Sequence, residues 1–376
     1  FSPGGAPVPV SRLSMKGLIL VGGLGTQLRP LTLSQPKPLI DFGNKPQLLH
    51  LIDMLKRAGV TEVVLAINYH PQIMEDFLNA YADYGVKVVL SHETEPLGTA
   101  GPIALAKEHL SDGEAFFVLN CDIACEFNLR SLLDFHKAHG KIGTIMVTDV
   151  AEPAKYGKSV VVSHETGLIE RFVEHGRTYA GNIINAGVYI FSPAIFDRIA
   201  LRPTSMEKEV LPALAADEQL YCKRLDGYWM NIKKPPDFLM GNSLYLEYLE
   251  KQRPRELAQL AAGSQIRGNC IIAESATVGK GCIIGPDVAI GKDCVVADGV
   301  KLARCILLEG SSVQAHAVIL DSIIGWRATV GKWARVEQVS VLGEDVHLGD
   351  ELTVNGTLIL PHKKISRSVR DPEIIL

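Results

Sequence analysis

Two rhythms of apolar and polar residues divide this chain, and they change over near residue 260. In the first half, short continuous apolar runs alternate with stretches whose apolar residues recur every three or four positions. The runs at 17–21, 62–67, 86–91 and 115–119 read as strands buried on both faces. The stretches at 47–58, 71–81 and 101–110 read as amphipathic helices between them. That alternation predicts a mostly parallel, doubly wound α/β sheet of Rossmann-like type, with ligands at the carboxyl ends of its strands. The strand at 115–119 delivers Asn120 and Asp122 to that edge. A helix near 238–252, then the charged stretch from Lys251 to Glu256, reads as the connection between the two halves.

In the second half, aliphatic residues stand six apart. Ile266, Ile272, Val278, Ile284, Ile290, Val296, Leu302 and Leu308 form one run. Val318, Ile324, Val330, Val336, Leu342, Leu348, Val354 and Leu360 form a second. A six-residue edge that turns one aliphatic side chain inward predicts a left-handed parallel β-helix of hexapeptide repeats, about five coils long. The domain reading is therefore an extension at 1–14, an α/β domain at 15–245, a linker at 246–263 and the β-helix at 264–376. A stack of coils cannot close its own ends, so a homo-oligomer or larger hetero-complex through the β-helix is expected.

Composition narrows the function classes. The chain has 376 residues, enough for two cores, and a net charge of −4, which gives no basic field for nucleic acid or an anionic membrane. No apolar run reaches the roughly 18–20 residues that span a bilayer. Seven cysteines without CxxC spacing read as buried, reduced thiols. His316, His347 and His362 lack the close spacing of a metal site, and Trp326 and Trp333 read as packing or interface residues. Residues 1–14, rich in Pro, Gly and Ser with Arg12 and no acid, read as an extension or the remnant of a cleaved organelle-targeting segment.

The candidate chemistry begins at VGGLGTQLRPLTLSQPKPL, residues 21–39. Gly22, Gly23 and Gly25 allow a tight turn and close ligand approach, so that N–H groups converge on phosphate oxygens. Arg29 and the proline-bracketed Lys37 add positive charge. With these residues the chain resembles the sugar-nucleotidyltransferase family, whose signature runs GGxGTRL…PKP, and within it the mannose-1-phosphate guanylyltransferases (GDP-mannose pyrophosphorylases) of β-subunit type. The likeness runs from Met15 to Leu376. It implies that Gly22, Gly23, Gly25 and Thr26 bind nucleotide, and that Gly98, Thr99 and Gly101 in ETEPLGTAGPIALA receive the base. It implies that Lys37 and Asp122 are catalytic, Asp122 as a Mg²⁺ ligand, and that Glu174, Asn185 and Glu207 hold the sugar. Implied ligands are GTP and GDP-mannose, and the implied location is cytoplasmic, or mitochondrial if residues 1–14 follow a cleaved presequence.

The chain departs from the family pattern at four places. Gln27 stands where the family has a catalytic arginine, and His175 where a lysine contacts the sugar phosphate. Asn231 stands where a second aspartate holds metal, and Lys233 replaces a glycine. Loss of one well-placed transition-state contact costs about 10²–10³ in rate. The expectation is thus a catalytically impaired or dead homologue, a pseudoenzyme serving as regulatory, sugar-nucleotide-sensing or structural subunit and needing Mg²⁺ only if active. The alternatives are an active guanylyltransferase, with Lys233 or Lys234 supplying replacement charge, and a scaffold that has abandoned nucleotide.

Overall fold

The computed structural model describes residues 15–68, 71–80, 84–174, 181–257 and 264–376. The first half is built round a nine-stranded sheet. Its centre is parallel: Met15–Val21 lies between Val60–Ile67 and Phe116–Asn120, and Lys87–His92 pairs with the outer edge of Val60–Ile67. Leu18 and Val64 pack with Phe116 and Val118 on one face, while Ile19 and Leu65 pack with Phe117 and Leu119 on the other. Burial on both faces is why these strands read as unbroken apolar runs. Helix Gln47–Ala58 covers the second face with Leu48, Leu51, Ile52 and Leu55, and Gly59 ends it at φ +96°.

Beyond residue 140 most pairings are antiparallel, although Leu220–Arg224 runs parallel to Gly143–Asp149. Ile183–Phe191 runs antiparallel to Phe116–Asn120 and to Gly143–Asp149, and Ile169–Glu174 runs antiparallel to Lys158–Val162. The sheet is mixed where a mostly parallel one was expected. Ile169–Glu174 returns from its neighbour through a tight turn closed by Gly167 N–H on Ser163 O, 2.9 Å, and a tight turn joins only antiparallel strands.

The second half winds into three parallel sheets of six, seven and six strands, a parallel β-helix consistent with the left-handed type. It is one coil longer than the period suggested. Its register also slips: Leu307, Ile319 and Ile359 enter the core instead of the adjacent Leu308, Val318 and Leu360. Some edges hold five residues, not six, so a strict period of six drifts off the buried position. Leu308 faces the first domain instead.

The two halves share a core. Phe42, Phe238, Tyr245, Leu246 and Leu249 pack with Ala289, Ile306, Ile323 and Trp326, and Asn44 Nδ2 donates to Ile290 O at 2.7 Å. Trp326 is thus a packing residue, while the exposed Trp333 stacks on His316 with ring centroids 4.3 Å apart. All seven cysteines are buried and unpaired. Among the described residues, no helix is long and apolar enough to cross a membrane. Residues 1–14 lie outside the described residues.

Candidate active site

At the carboxyl edge of the central strands lies a cavity of about 550 Å³. Met15–Val21 runs straight into Gly22 and Gly23, and the chain turns there because Gly23 and Gly25 sit in the left-handed region, at φ +98° and +60°. Thr32 Oγ1 donates to Gly25 O at 2.9 Å, and Gly23 N–H reaches Asn68 Oδ1 at 3.4 Å. Thr26 and Gln27 follow on a short 3₁₀ turn, exposed at the cavity wall. Arg29 is not among the residues lining the cavity.

Lys37 enters from a second 3₁₀ turn, Lys37–Leu39, with Pro36 and Pro38 on either side. Its ammonium lies 4.0 Å from Asp122 Oδ2, and its side chain is only 11% exposed against 30% for Asp122. Asp122 sits in the link between Phe116–Asn120 and Ile123–Cys125. Beside it, burial pushes the Cys121 thiol up to about 12, so this sulfur stays protonated and unreactive at neutral pH.

Asn231 lies on Trp229–Asn231, directly paired with Ile123, and the next residue's N–H donates to Asp122 O at 2.8 Å. Its Oδ1 is buried and accepts no hydrogen bond from the described residues. Asn231 itself is not among the residues lining the cavity, and a buried carbonyl oxygen without a donor calls for an explanation such as a bound water or ion. One carboxylate and one neutral amide oxygen suit Mg²⁺, which takes one or two carboxylates and completes its shell with water and substrate phosphates. Among the described residues no group of three or more His, Cys, Asp or Glu side chains could hold a metal ion by itself.

The base loop forms the opposite wall. Gly98 and Thr204 form a backbone bridge, and Ala100 N–H donates to Thr204 O at 3.0 Å. Thr99 Oγ1 donates to Glu207 Oε2 at 2.8 Å and accepts from Met206 N–H at 2.8 Å. Glu207 is therefore a clamp on the base loop, and Ser205 Oγ donates to the same carboxylate oxygen at 3.2 Å. Gly101 lies packed under the loop, where a Cβ would meet Leu97 Cβ at 2.6 Å and Arg202 O at 2.8 Å.

The sugar residues gather less closely. Asn185 is spent on its own strand: Nδ2 donates to the Tyr189 hydroxyl at 2.9 Å and Oδ1 accepts from Gly187 N–H at 3.0 Å. Glu174 is an exposed partner of Lys158 at 3.4 Å. Neither lines the cavity, and His175 lies outside the described residues. Sequence reasoning passed over Asn68 and Glu93, both of which line the cavity. Asn68 carried a legible signal, as the first polar residue after an apolar parallel strand. A larger cleft of about 690 Å³ lies between Ala58, Asn128, Tyr228 and Tyr248. It holds no glycine loop, and two of its cations are committed in the pairs Arg57–Glu126 and Lys251–Glu247.

Two family models cover nearly the whole chain: the nucleotidyl transferase model matches residues 16–248 and the GMPPB C-terminal domain model residues 266–375. The chain belongs to the nucleotidyl transferase family. A rice relative of this family, probable mannose-1-phosphate guanylyltransferase 1, is 55% identical over 365 residues, 96% of this chain and 100% of the relative. The mannose-1-phosphate guanylyltransferase catalytic subunit beta of Dictyostelium discoideum is 55% identical over 363 residues, again 96% and 100%. Among solved structures, HddC from Yersinia pseudotuberculosis matches with a TM-score of 0.52 and 28% identity, covering 60% of this chain and 97% of its own.

These relatives overturn the expectation of an impaired or dead subunit. Proteins 53–55% identical along their full length are named as guanylyltransferases, one of them as a catalytic subunit. The physical reason is that the cavity keeps a charged lining. Lys37 and Asp122 are retained and face each other, and Lys233 joins the lining.

Proposed function

We propose that this protein is a mannose-1-phosphate guanylyltransferase, which makes GDP-mannose and pyrophosphate from GTP and mannose 1-phosphate. One observation carries the reading: a glycine loop, a small-residue base loop and the Lys37–Asp122 pair line a single cavity at the carboxyl edge of parallel strands. The names of the full-length relatives point the same way.

In this reading the base lies on Gly98 and Thr99, and the triphosphate runs along the N–H groups of Gly22 to Thr26. Lys37 directs its ammonium at the phosphates. An oxygen of the sugar phosphate attacks the α-phosphorus of GTP; the new P–O bond forms as the bond to the β-phosphate oxygen breaks and pyrophosphate leaves. Positioning and charge neutralisation account for most of the rate in such a transfer. Asp122, with Asn231 Oδ1 as neutral partner, would hold Mg²⁺, whose charge would offset that of the phosphates. Gln27 would donate a neutral hydrogen bond at the phosphate end of the cavity. Glu207 would act on the base loop through Thr99, and the exposed surface of the β-helix would join copies or partner subunits.

The test is pyrophosphate release from GTP and mannose 1-phosphate with Mg²⁺. Turnover is expected in the native protein and a fall of about 10²–10³ in Asp122→Asn. A native protein that stays at background, with GTP bound, refutes the reading.

A further inference from the structure

The cavity lining holds a cation that no carboxylate among the described residues neutralises. Four formally charged side chains line this cavity: Lys37, Lys233, Glu93 and Asp122. Lys37 faces Asp122 at 4.0 Å, so each offsets the other. Glu93 turns its carboxylate to its own loop, where Oε2 accepts Leu97 N–H at 3.1 Å. Lys233 has no carboxylate within ion-pair distance among the described residues, and its side chain is exposed.

The backbone of Lys233 is held firmly although its side chain has no ion-pair partner among the described residues. The preceding N–H, of Ile232, is bonded to Asp122 O at 2.8 Å. Its own N–H and that of Lys234 both donate to Asp237 Oδ2, at 3.2 and 2.8 Å. Asp237 thereby fixes the entry to the 18-residue helix Pro235–Gln252, whose positive end lies beside Lys233. A backbone fixed next to Asp122, bearing a four-carbon stem, gives the cavity a mobile ammonium on that side.

We propose that Lys233 is a second phosphate clamp, which closes on the nucleotide beside Asp122 and lets this chain bind GTP without a divalent cation. The proposal rests on the guanylyltransferase reading for the identity of the nucleotide. Lys37 alone cannot do this, because Asp122 claims its charge; an ammonium with no acidic partner keeps its full attraction for a polyanion.

The experiment is calorimetric titration of the full chain with GTP, in EDTA and again in Mg²⁺. The native protein is expected to bind GTP in EDTA, and Lys233→Gln to bind it about tenfold more weakly or worse. Lys233→Arg restores binding, and Lys234→Gln, outside the cavity, binds as the native protein does. The Lys233→Gln deficit narrows in Mg²⁺ and shows in the KM for GTP more than in kcat. Native protein that binds no GTP in EDTA, or Lys233→Gln with native affinity there, overturns the proposal. Pyrophosphate release separates the two readings. Lys233-dependent GTP binding without turnover sinks guanylyl transfer alone, and normal turnover with an indifferent Lys233 sinks the clamp alone.

Discussion

Replacing Gly98 with alanine tests how tightly the base loop is tied to the segment beginning at Thr204. Gly98 has φ +74°, a left-handed conformation that costs an alanine about 1–2 kcal/mol. Its added Cβ would stand 2.5 Å from Thr204 O, 3.1 Å from Thr204 C and 3.2 Å from Thr204 N. All three are backbone atoms, so no rotamer change relieves the contact. Ordinary contact begins near 3.4 Å, so the two segments must part by about 0.9 Å. The bonds Ala100 N–H to Thr204 O and Thr204 N–H to Leu97 O, each 3.0 Å, would then stretch past hydrogen-bonding range. Each contributes about 0.5–1.5 kcal/mol net. With the dihedral cost, the substitution should destabilise the loop by about 2–5 kcal/mol.

The control is Gly113→Ala. Gly113 has φ +94° but nothing within 4 Å of its would-be Cβ, so it carries the dihedral cost alone. Urea unfolding should rank Gly98→Ala below Gly113→Ala. Pyrophosphate-release kinetics should show kcat/KM for GTP lower by about 10–10² in Gly98→Ala, because displacement of a binding wall by nearly 1 Å is felt at the reacting atoms. Gly113→Ala should keep native kinetics. If the two variants match in both measurements, the loop does not bear on Thr204 as described.

Three further outcomes are expected. Asn231→Asp places a carboxylate where a buried oxygen now lacks a donor, and should lower the Mg²⁺ concentration for half-maximal rate several-fold; an unchanged midpoint argues against metal at this position. Burial lowers His50, His136 and His139 to about 4, so below pH 6.5 the unfolded chain takes up protons before the native state does, and stability falls from pH 6.5 towards 4. Asp41, raised to about 6 by burial and by Glu309, and Glu93, raised by burial, act in the opposite sense but are two groups against three. Urea midpoints should therefore drop between pH 7 and pH 5, and His136→Gln with His139→Gln should flatten that slope; equal midpoints refute the assignment. Trp326→Ala removes a 5%-exposed indole from the core shared by the two halves and should cost about 3–5 kcal/mol; a loss under 1 kcal/mol in thermal unfolding would mean the halves do not pack there.

How far the sequence reveals this fold depends on whether the decisive interaction is local. Helix Gln47–Ala58 has the bounds its periodicity predicts, since its apolar face and its closing Gly59 both lie within the segment. The glycine loop is legible for the same reason. The β-helix is legible as a type but not in register, because Leu307 and Leu308, Val318 and Ile319, and Ile359 and Leu360 are adjacent aliphatic pairs. Only the stacking of one coil on the next decides which member of each pair enters the core. The site is legible in its loops and opaque in its polar partners. Thr99 and Glu207 are 108 residues apart, and no local pattern announces that this carboxylate holds a loop.

The misreading of the four departures has a physical source. Read along the chain, each replacement removes a named contact, and four removals look like the loss of a site. In space, the three described replacements stand in different surroundings. Gln27 stands exposed at the cavity wall, Asn231 has a buried oxygen on the strand paired with Ile123, and Lys233 adds to the lining an ammonium with no carboxylate partner among the described residues. A polyanionic substrate responds to the summed potential of the cavity, to which any cation within several ångströms contributes. Exchange of a cation at one wall for a cation at another leaves that sum nearly unchanged, while the direction of the pull differs. Retained activity with a shifted dependence on metal is therefore the consistent expectation for this cavity, and Lys233 is the residue through which that shift would be measured.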